Sequence, residues 1–327
     1  MTVQITVIGL GQIGTSIGLA LAKHTDQIAR VGYDRALEIQ NKAKSLGAFD
    51  SVKFTLPSAI ENADVVILCL PFDQVEETLQ LIAENLREDA VILDFSPQKI
   101  IAQKWFEQHV PVGRHYVGMV ASIGPKFLDM IDEGVDAARA DLFGRATIGI
   151  ATAQGTSSQA LKLAADLVDM MGGQAIFLDM LEADGMLMTT HLVPQLISAA
   201  ILNATVDQPG WSEARRFAGR PYARATSAVA MDKIEALAQA LISNPGGATH
   251  ALDNAIGALT HFRAAIARGD QADLVRRLKM AVEDRDNWLA ERHRADWDSA
   301  KDKTEAPKAG DFIKSLFIGV RSRGKKK

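Results

Sequence analysis

One cysteine in 327 residues rules out an intrachain disulfide and fits a reducing compartment. That residue, Cys69, stands in the apolar run Val65-Val66-Ile67-Leu68-Cys69-Leu70, the setting of a buried, inert thiol. No uninterrupted apolar run reaches the roughly 18 residues that suggest a membrane helix, so no membrane span is expected. The start, Met1-Thr2-Val3-Gln4, lacks a basic segment, and glycines break the apolar stretch behind it, so no secretory signal is read there. Neither charge sign dominates. With 36 Lys and Arg against 40 Asp and Glu, the net charge is −4, which gives no reason to expect nucleic acid as a partner. No His, Cys, Asp or Glu cluster has metal-ligand spacing, so no metal is expected, and no serine–histidine–acid set can be assembled. The expectation is a soluble cytoplasmic protein.

What the chain does have is alternation. Residues 5–8, 30–34, 63–70 and 90–94 read as strands, and residues 12–23, 36–46 and 73–86 read as the helices between them. The run 63–70 is apolar throughout, as in a parallel strand buried on both faces. This rhythm argues for an α/β fold with a doubly wound parallel sheet. Further strands are expected at 115–120, 147–151 and 175–178, a helix at 157–171, and an irregular stretch over 124–144. From Met180 to about Arg294 the spacing of Ala, Leu, Met and Ile is helical, with breaks at Asp207-Gln208-Pro209-Gly210 and Asn244-Pro245-Gly246-Gly247. The expected organisation is a dinucleotide-binding domain over 1–178, a helical domain over 179–298, and a basic, flexible tail over 299–327. Within that tail the patch 312–318 suits a short helix that docks on its own protein, or alternatively an anionic membrane surface or a partner groove.

Gly9-Leu10-Gly11-Gln12-Ile13-Gly14 fits the pattern G-x-G-x-x-G. Alone the pattern is weak, but here it follows a strand and opens a helix. Gly9 permits the tight turn, Gly11 removes the side chain that would block a pyrophosphate, and Gly14 allows close helix–strand packing. Amide groups at the helix start then face the phosphates. Asp34 ends the second strand, where a carboxylate bonds ribose hydroxyls and repels a 2′-phosphate. That favours NAD. Arg35, next in the chain, leaves NADP open. Asp34 could instead cap the following helix. Leu70 and Pro71 end the strand beside the loop and line the cofactor site, unless Pro71 serves only to stop the strand.

These blocks resemble the prephenate/arogenate dehydrogenase family. The resemblance rests on residues 7–20, on Gly32-Tyr33-Asp34-Arg35 and on residues 63–71. It continues in Tyr116-Val117-Gly118-Met119, in His191-Leu192 and in residues 210–218, so it runs through nearly all of 3–295. It implies oxidative decarboxylation in tyrosine biosynthesis, with hydride passing to NAD(P), a histidine accepting the hydroxyl proton, and dimerisation through the helical half.

The departures fall on catalytic positions. The family's His-Pro after Gly118-Met119 reads Val120-Ala121, and valine cannot take a proton. Its Asp-x-x-Ser-x-Lys pattern keeps Asp94 and Lys99 but has Pro97 at the serine. Its Ser-His-Leu-Pro-His element reads Thr190-His191-Leu192-Val193-Pro194, keeping the first histidine. Its upstream His-Asp pair reads Glu182-Ala183. His191 remains a catalytic candidate or a satisfied core histidine. Lys99 remains a carboxylate holder or a solvated lysine. By the resemblance Arg216 is the arginine that binds a substrate carboxylate, a role its fork geometry suits, or else a surface arginine. His115 lies five residues before Val120, on the opposite face of an alternating strand. The resulting expectation is an NAD(P)-dependent dehydrogenase of this type. The alternatives are a dehydrogenase of another small carboxylated hydroxy acid and a non-catalytic nucleotide-binding regulator.

Overall fold

The structure, a computed structural model, describes residues 2–130 and 132–295. The tail expected over 299–327 lies outside these residues. The first half alternates β1 (Val3–Ile8), α1 (Gln12–Ala20), β2 (Ile28–Tyr33), α2 (Leu37–Ser45), β3 (Ser51–Val52), α3 (Leu56–Ile60), β4 (Val65–Leu68), α4 (Val75–Ile82), β5 (Val91–Asp94) and α5 (Lys99–His109). Next come β6 (His115–Ala121), β7 (Thr147–Thr152), α6 (Ser158–Met170) and β8 (Gln174–Asp179). The eight strands form one sheet in the order β3-β2-β1-β4-β5-β6-β7-β8. The doubly wound α/β expectation holds, with one correction. β7 pairs antiparallel with β6, because no crossover helix joins them; the irregular stretch leaves and re-enters at the same edge. β3 and α3 escape a periodicity reading because they are two and five residues long.

β4 is buried on both faces, as its composition demands. Val65 and Ile67 join the apolar layer around Ile17, Leu21 and Phe49, while Val66 and Leu68 join the opposite layer with Leu79, Ile82 and Ile92. Each fully buried side chain of this size contributes about 1.5–3 kcal/mol. The strand ends are thus held firmly, and the loops at their carboxyl edge stand on a rigid base.

Beyond β8 the described chain is helical: α7 (Met180–Leu187), a π-turn (Met188–Leu192), α8 (Val193–Val206), α9 (Trp211–Ala214), α10 (Arg220–Thr226), α11 (Ile234–Ser243), α12 (Pro245–Ala267) and α13 (Gln271–Arg294). α7, the π-turn and α8 run on as Met180–Val206, which by length and composition alone is apolar enough to cross a membrane. The run-length reading missed this because polar residues interrupt the apolar ones. In the fold this stretch packs on the sheet half through Met188, Leu192 and Val193, which share one apolar cluster with Phe72, Leu237 and Leu241, and with Ile101 and Trp105 alongside. The far end also docks back. Arg292 Nη2 donates to the Ile123 carbonyl at 2.7 Å, and Arg145 Nη2 donates to the carbonyl of Arg294 at 2.6 Å.

Candidate active site

The phosphate loop is built as its glycines require, for two different reasons. At Gly9 φ is +91°, and a Cβ would lie 2.2 Å from the Cys69 carbonyl oxygen. At Gly14 a Cβ would lie 2.0 Å from the Gly9 carbonyl oxygen. The fold itself therefore demands glycine at both. Gly11 differs: a Cβ there meets no atom within 4 Å. Nothing among the described residues forbids a side chain at Gly11, and an open space above it is what a ligand backbone contact needs. No side chain caps the amino end of α1 at Gly11, leaving its first amide groups for an anion. These features fit a dinucleotide pyrophosphate.

Asp34 is half-buried and does two structural jobs. Its Oδ2 accepts from the Leu10 amide at 2.8 Å, tying the loop to β2. Its Oδ1 accepts from the Ala36 amide at 2.9 Å, turning the chain into α2. A carboxylate oxygen accepts more than one hydrogen bond, so both retain capacity for ribose hydroxyls. Arg35 is exposed and paired with Glu77 at 2.6 Å, which offsets its attraction for a 2′-phosphate. The irregular stretch returns over both α1 and α2. The Arg139 amide donates to Ser16 Oγ at 3.0 Å, and Lys42 pairs with Asp136. Leu70 and Pro71 are half-buried at the carboxyl edge, and Phe72 turns inward to stack against Trp105 with ring centroids 4.9 Å apart.

Beside this loop, at the end of β5, lies a buried polar cluster. Asp94 Oδ2 accepts from Ser96 Oγ and from the Tyr116 hydroxyl, both at 2.7 Å. Lys99 is 0% exposed. Its Nζ donates to the Asp94 carbonyl at 2.9 Å and also to the Ser96 carbonyl. Gly118 makes room for it, since a Cβ there would lie 2.8 Å from Lys99 Cδ. The solvated alternative for Lys99 is corrected: the side chain is enclosed and pins the strand end. Burial pushes its amine down, opposed by the charges of Asp94 and Asp184. Burial, and then the Asp94 charge, push the Tyr116 hydroxyl well up. Burial of its sulfur also pushes the Cys69 thiol far up, although the residue as a whole is half-buried rather than enclosed. Asp184 caps α5, accepting from the Lys99 amide at 2.5 Å and the Ile100 amide at 3.2 Å. Burial raises its carboxyl above the ordinary value, against the pull of those two amides.

His191 lies in the π-turn. Pro194, one turn on, has no N–H for the Thr190 carbonyl, and its ring crowds the helix there, which favours widening. His191 Nε2 is 2.9 Å from Asp232 Oδ2. Gln195 Nε2 donates to the same Oδ2 at 2.7 Å and to the His191 carbonyl at 3.1 Å, and Gln195 Oε1 accepts from the Asp232 amide at 3.2 Å. Burial pushes Asp232 up, but the bonds from His191 and Gln195 outweigh it and hold the carboxyl below its ordinary value.

Arg216 stands apart. It follows α9 on an exposed segment where Phe217 is 87% exposed, and no side-chain partner for it is found among the described residues. The structure thus brings together the loop, Asp34, Leu70, Pro71 and the Lys99 cluster at one edge. It places His191 on the helix above and leaves Arg216 unpartnered. Val120 lies at the end of β6 beside Gly149, and His115 lies at the start of that strand, against Asp89 at 4.0 Å. Asp184, Gln195 and Asp232 were not singled out from sequence. Asp184 and Gln195 could have been, as polar residues in an apolar helix; Asp232 stands in a loop without a motif.

A family model described as "Prephenate dehydrogenase, nucleotide-binding domain" matches residues 17–177. Among curated proteins, the chain is 25% identical over 282 residues to the cyclohexadienyl dehydrogenase of Zymomonas mobilis, covering 84% of this chain and 92% of that one. It is 26% identical over 286 residues to the prephenate dehydrogenase of Bacillus subtilis, covering 86% and 75%. Over residues 17–177 the chain carries the nucleotide-binding domain of the prephenate dehydrogenase family. Solved structures agree on the fold. Prephenate dehydrogenase from A. aeolicus, in complex with hydroxyphenyl propionate and NAD+, superposes with a TM-score of 0.74 at 18% identity, over 88% of this chain and 98% of that one. Synechocystis arogenate dehydrogenase gives 0.68 at 19%, over 87% and 99%. Val120, at the end of β6, stands where the resemblance puts the proton-accepting histidine.

Proposed function

We propose that this chain is an NAD-dependent dehydrogenase that oxidatively decarboxylates prephenate or arogenate. The observation that carries the cofactor half is Gly11, the one loop glycine that the protein's own atoms do not require. Gly9, Leu10, Gly11, Gln12, Ile13 and Gly14 would hold the pyrophosphate and Asp34 the adenosine ribose, with Leu70 and Pro71 beside them. The Arg35–Glu77 pair weakens the case for NADP. When bound, the nicotinamide supplies the hydride acceptor. The protein does the rest: enclosed Lys99 and Asp94 hold the strand end that borders the reacting centre, and Arg216 supplies a planar fork for a substrate carboxylate. Curated relatives named cyclohexadienyl dehydrogenase and prephenate dehydrogenase support the substrate class.

The helical half supports a homodimer. α12 and α13 leave Ile256, Leu259, Ile266, Leu278 and Val282 exposed, apolar side chains that a second copy would cover. Sedimentation tests this, and a monomer at micromolar concentration would refute it. We place the protein in the cytoplasm.

The decisive assay is NADH formation by purified protein with prephenate or arogenate. No turnover with either, while NADH still binds, would sink the substrate assignment. Val120 favours one second reading, a dehydrogenase of another small carboxylated hydroxy acid, and a panel of such acids would separate the two.

A further inference from the structure

A dehydrogenase that oxidises an alcohol carbon must put the hydroxyl proton somewhere. The end of β6 offers no acceptor, since Val120 and Ala121 stand there. Lys99 is enclosed, and both hydrogen bonds from its Nζ go to backbone carbonyls. His115 faces Asp89 from the amino end of β6, the edge of the sheet opposite the loop. The remaining arrangement with the right parts is the π-turn.

Several independent features meet there. His191 Nε2 is bonded to a carboxylate oxygen of Asp232, which assigns the proton to Nε2 and leaves the Nδ1 lone pair as the basic atom. Nδ1 has no partner among the described residues, and the side chain is 43% exposed. Asp232 is fixed in turn by Gln195, which donates to its Oδ2 and accepts from its amide. The carboxylate therefore cannot swing away without breaking two further bonds. The helix is widened at this turn, a distortion seen often at functional sites. The placement is also right. Met188 and Leu192, three residues before and one after His191, pack on Phe72, which directly follows Leu70 and Pro71 at the carboxyl edge. Asp184, seven residues earlier, caps α5 beside the Lys99 cluster, so His191 stands about 10 Å further along the same helix at 1.5 Å per residue.

We propose that His191, oriented by Asp232 and Gln195, is the proton acceptor of this enzyme and takes the place of the histidine missing at Val120. This rests on the dehydrogenase reading above. In the reaction the substrate O–H bond breaks and its proton goes to His191 Nδ1, while the adjacent C–H pair passes to NAD and the C–O bond becomes a carbonyl. Loss of the ring carboxylate as carbon dioxide sends its C–C electron pair through the ring to that oxygen. The oxygen then takes the proton back from His191. Asp232 and Gln195 touch no substrate; they are positioning residues that hold the tautomer and stabilise the imidazolium.

The test compares the parent full-length chain with His191→Gln and Asp232→Asn, using NAD and whichever of prephenate or arogenate the parent turns over. His191→Gln is expected to lower kcat by about 10²–10⁴-fold. It should leave NADH affinity within about twofold of the parent and abolish the acidic limb of kcat/KM against pH. Asp232→Asn is expected to keep an acidic limb but move it to lower pH, because the imidazolium loses its carboxylate; a structural role alone would not move that limb. NADH binding reports folding, and where His191→Gln loses it the Asp232→Asn profile decides. Retention of kcat within threefold with an unmoved limb, in the folded variant, overturns the proposal and leaves the dehydrogenase reading intact. A parent that turns over neither compound overturns both.

Discussion

Asp34 gives the sharpest test of the nucleotide site, because its structural and ligand roles separate by substitution. Asp34→Ala removes the acceptor of the Leu10 amide. Leu10 is 0% exposed, so that N–H is left unbonded away from water, at a cost of about 1–3 kcal/mol. The Ala36 amide is exposed, and water replaces its bond at little cost. The cofactor loses hydrogen bonds to a charged group, worth about 1.5–3 kcal/mol, or roughly 10- to 150-fold in Kd at 1.4 kcal/mol per tenfold. Asp34→Asn keeps an oxygen for Leu10 and removes only the charge. Its stability should stay near the parent's, and its discrimination against NADP should relax because the repulsion of a 2′-phosphate is gone. Fluorescence titration with NADH and NADPH, alongside urea unfolding, measures both effects. If Asp34→Ala is folded and binds NADH within twofold of the parent, the ribose assignment is wrong. If Asp34→Asn is as unstable as Asp34→Ala, the loop-tether argument is wrong.

Other expectations follow from the same geometry. Gly11→Ala should fold as the parent does, because its Cβ meets nothing, yet lose nucleotide affinity at least tenfold; Gly14→Ala should fail to form the loop, because its Cβ falls 2.0 Å from a carbonyl oxygen, and thermal unfolding with NADH titration tells them apart. Lys99→Met removes the lysine donor from the buried Asp94 and Ser96 carbonyls and should destabilise by about 1–3 kcal/mol in urea, and a loss under about 1 kcal/mol would refute its pinning role. Arg216→Ala should raise KM for the carboxylate substrate at least tenfold with NADH affinity unchanged, and an unchanged KM removes it from the site. Asp232 titrates below its ordinary value of 3.8 in the folded chain, so it adds stability above that pH and loses it as pH falls through the depressed value; Asp232→Asn should make acid unfolding correspondingly less steep.

Much of this fold is legible along the chain because the interactions that make it are local. Strand, glycine turn, helix and acid follow one another within residues 3–34, and each is forced by backbone sterics or by burial of an alternating apolar set. The run 63–70 declares a strand buried on both faces in its composition alone. The reversal of β7 was not legible, because direction depends on how an irregular connection of 25 residues returns, not on the strand's own residues. Nor was the burial of Lys99, since only the sheet edge shows that Gly118 vacates the space its stem fills. Sequence by itself determined a dinucleotide loop with an acid at the second strand's end, and the family resemblance added the expectation of a histidine where Val120 stands. Only tertiary structure decided what faces His191. Asp232 is 41 residues away along the chain, and a contact between two such polar residues carries no periodic signature; it exists because α8 and the turn before α11 pack side by side.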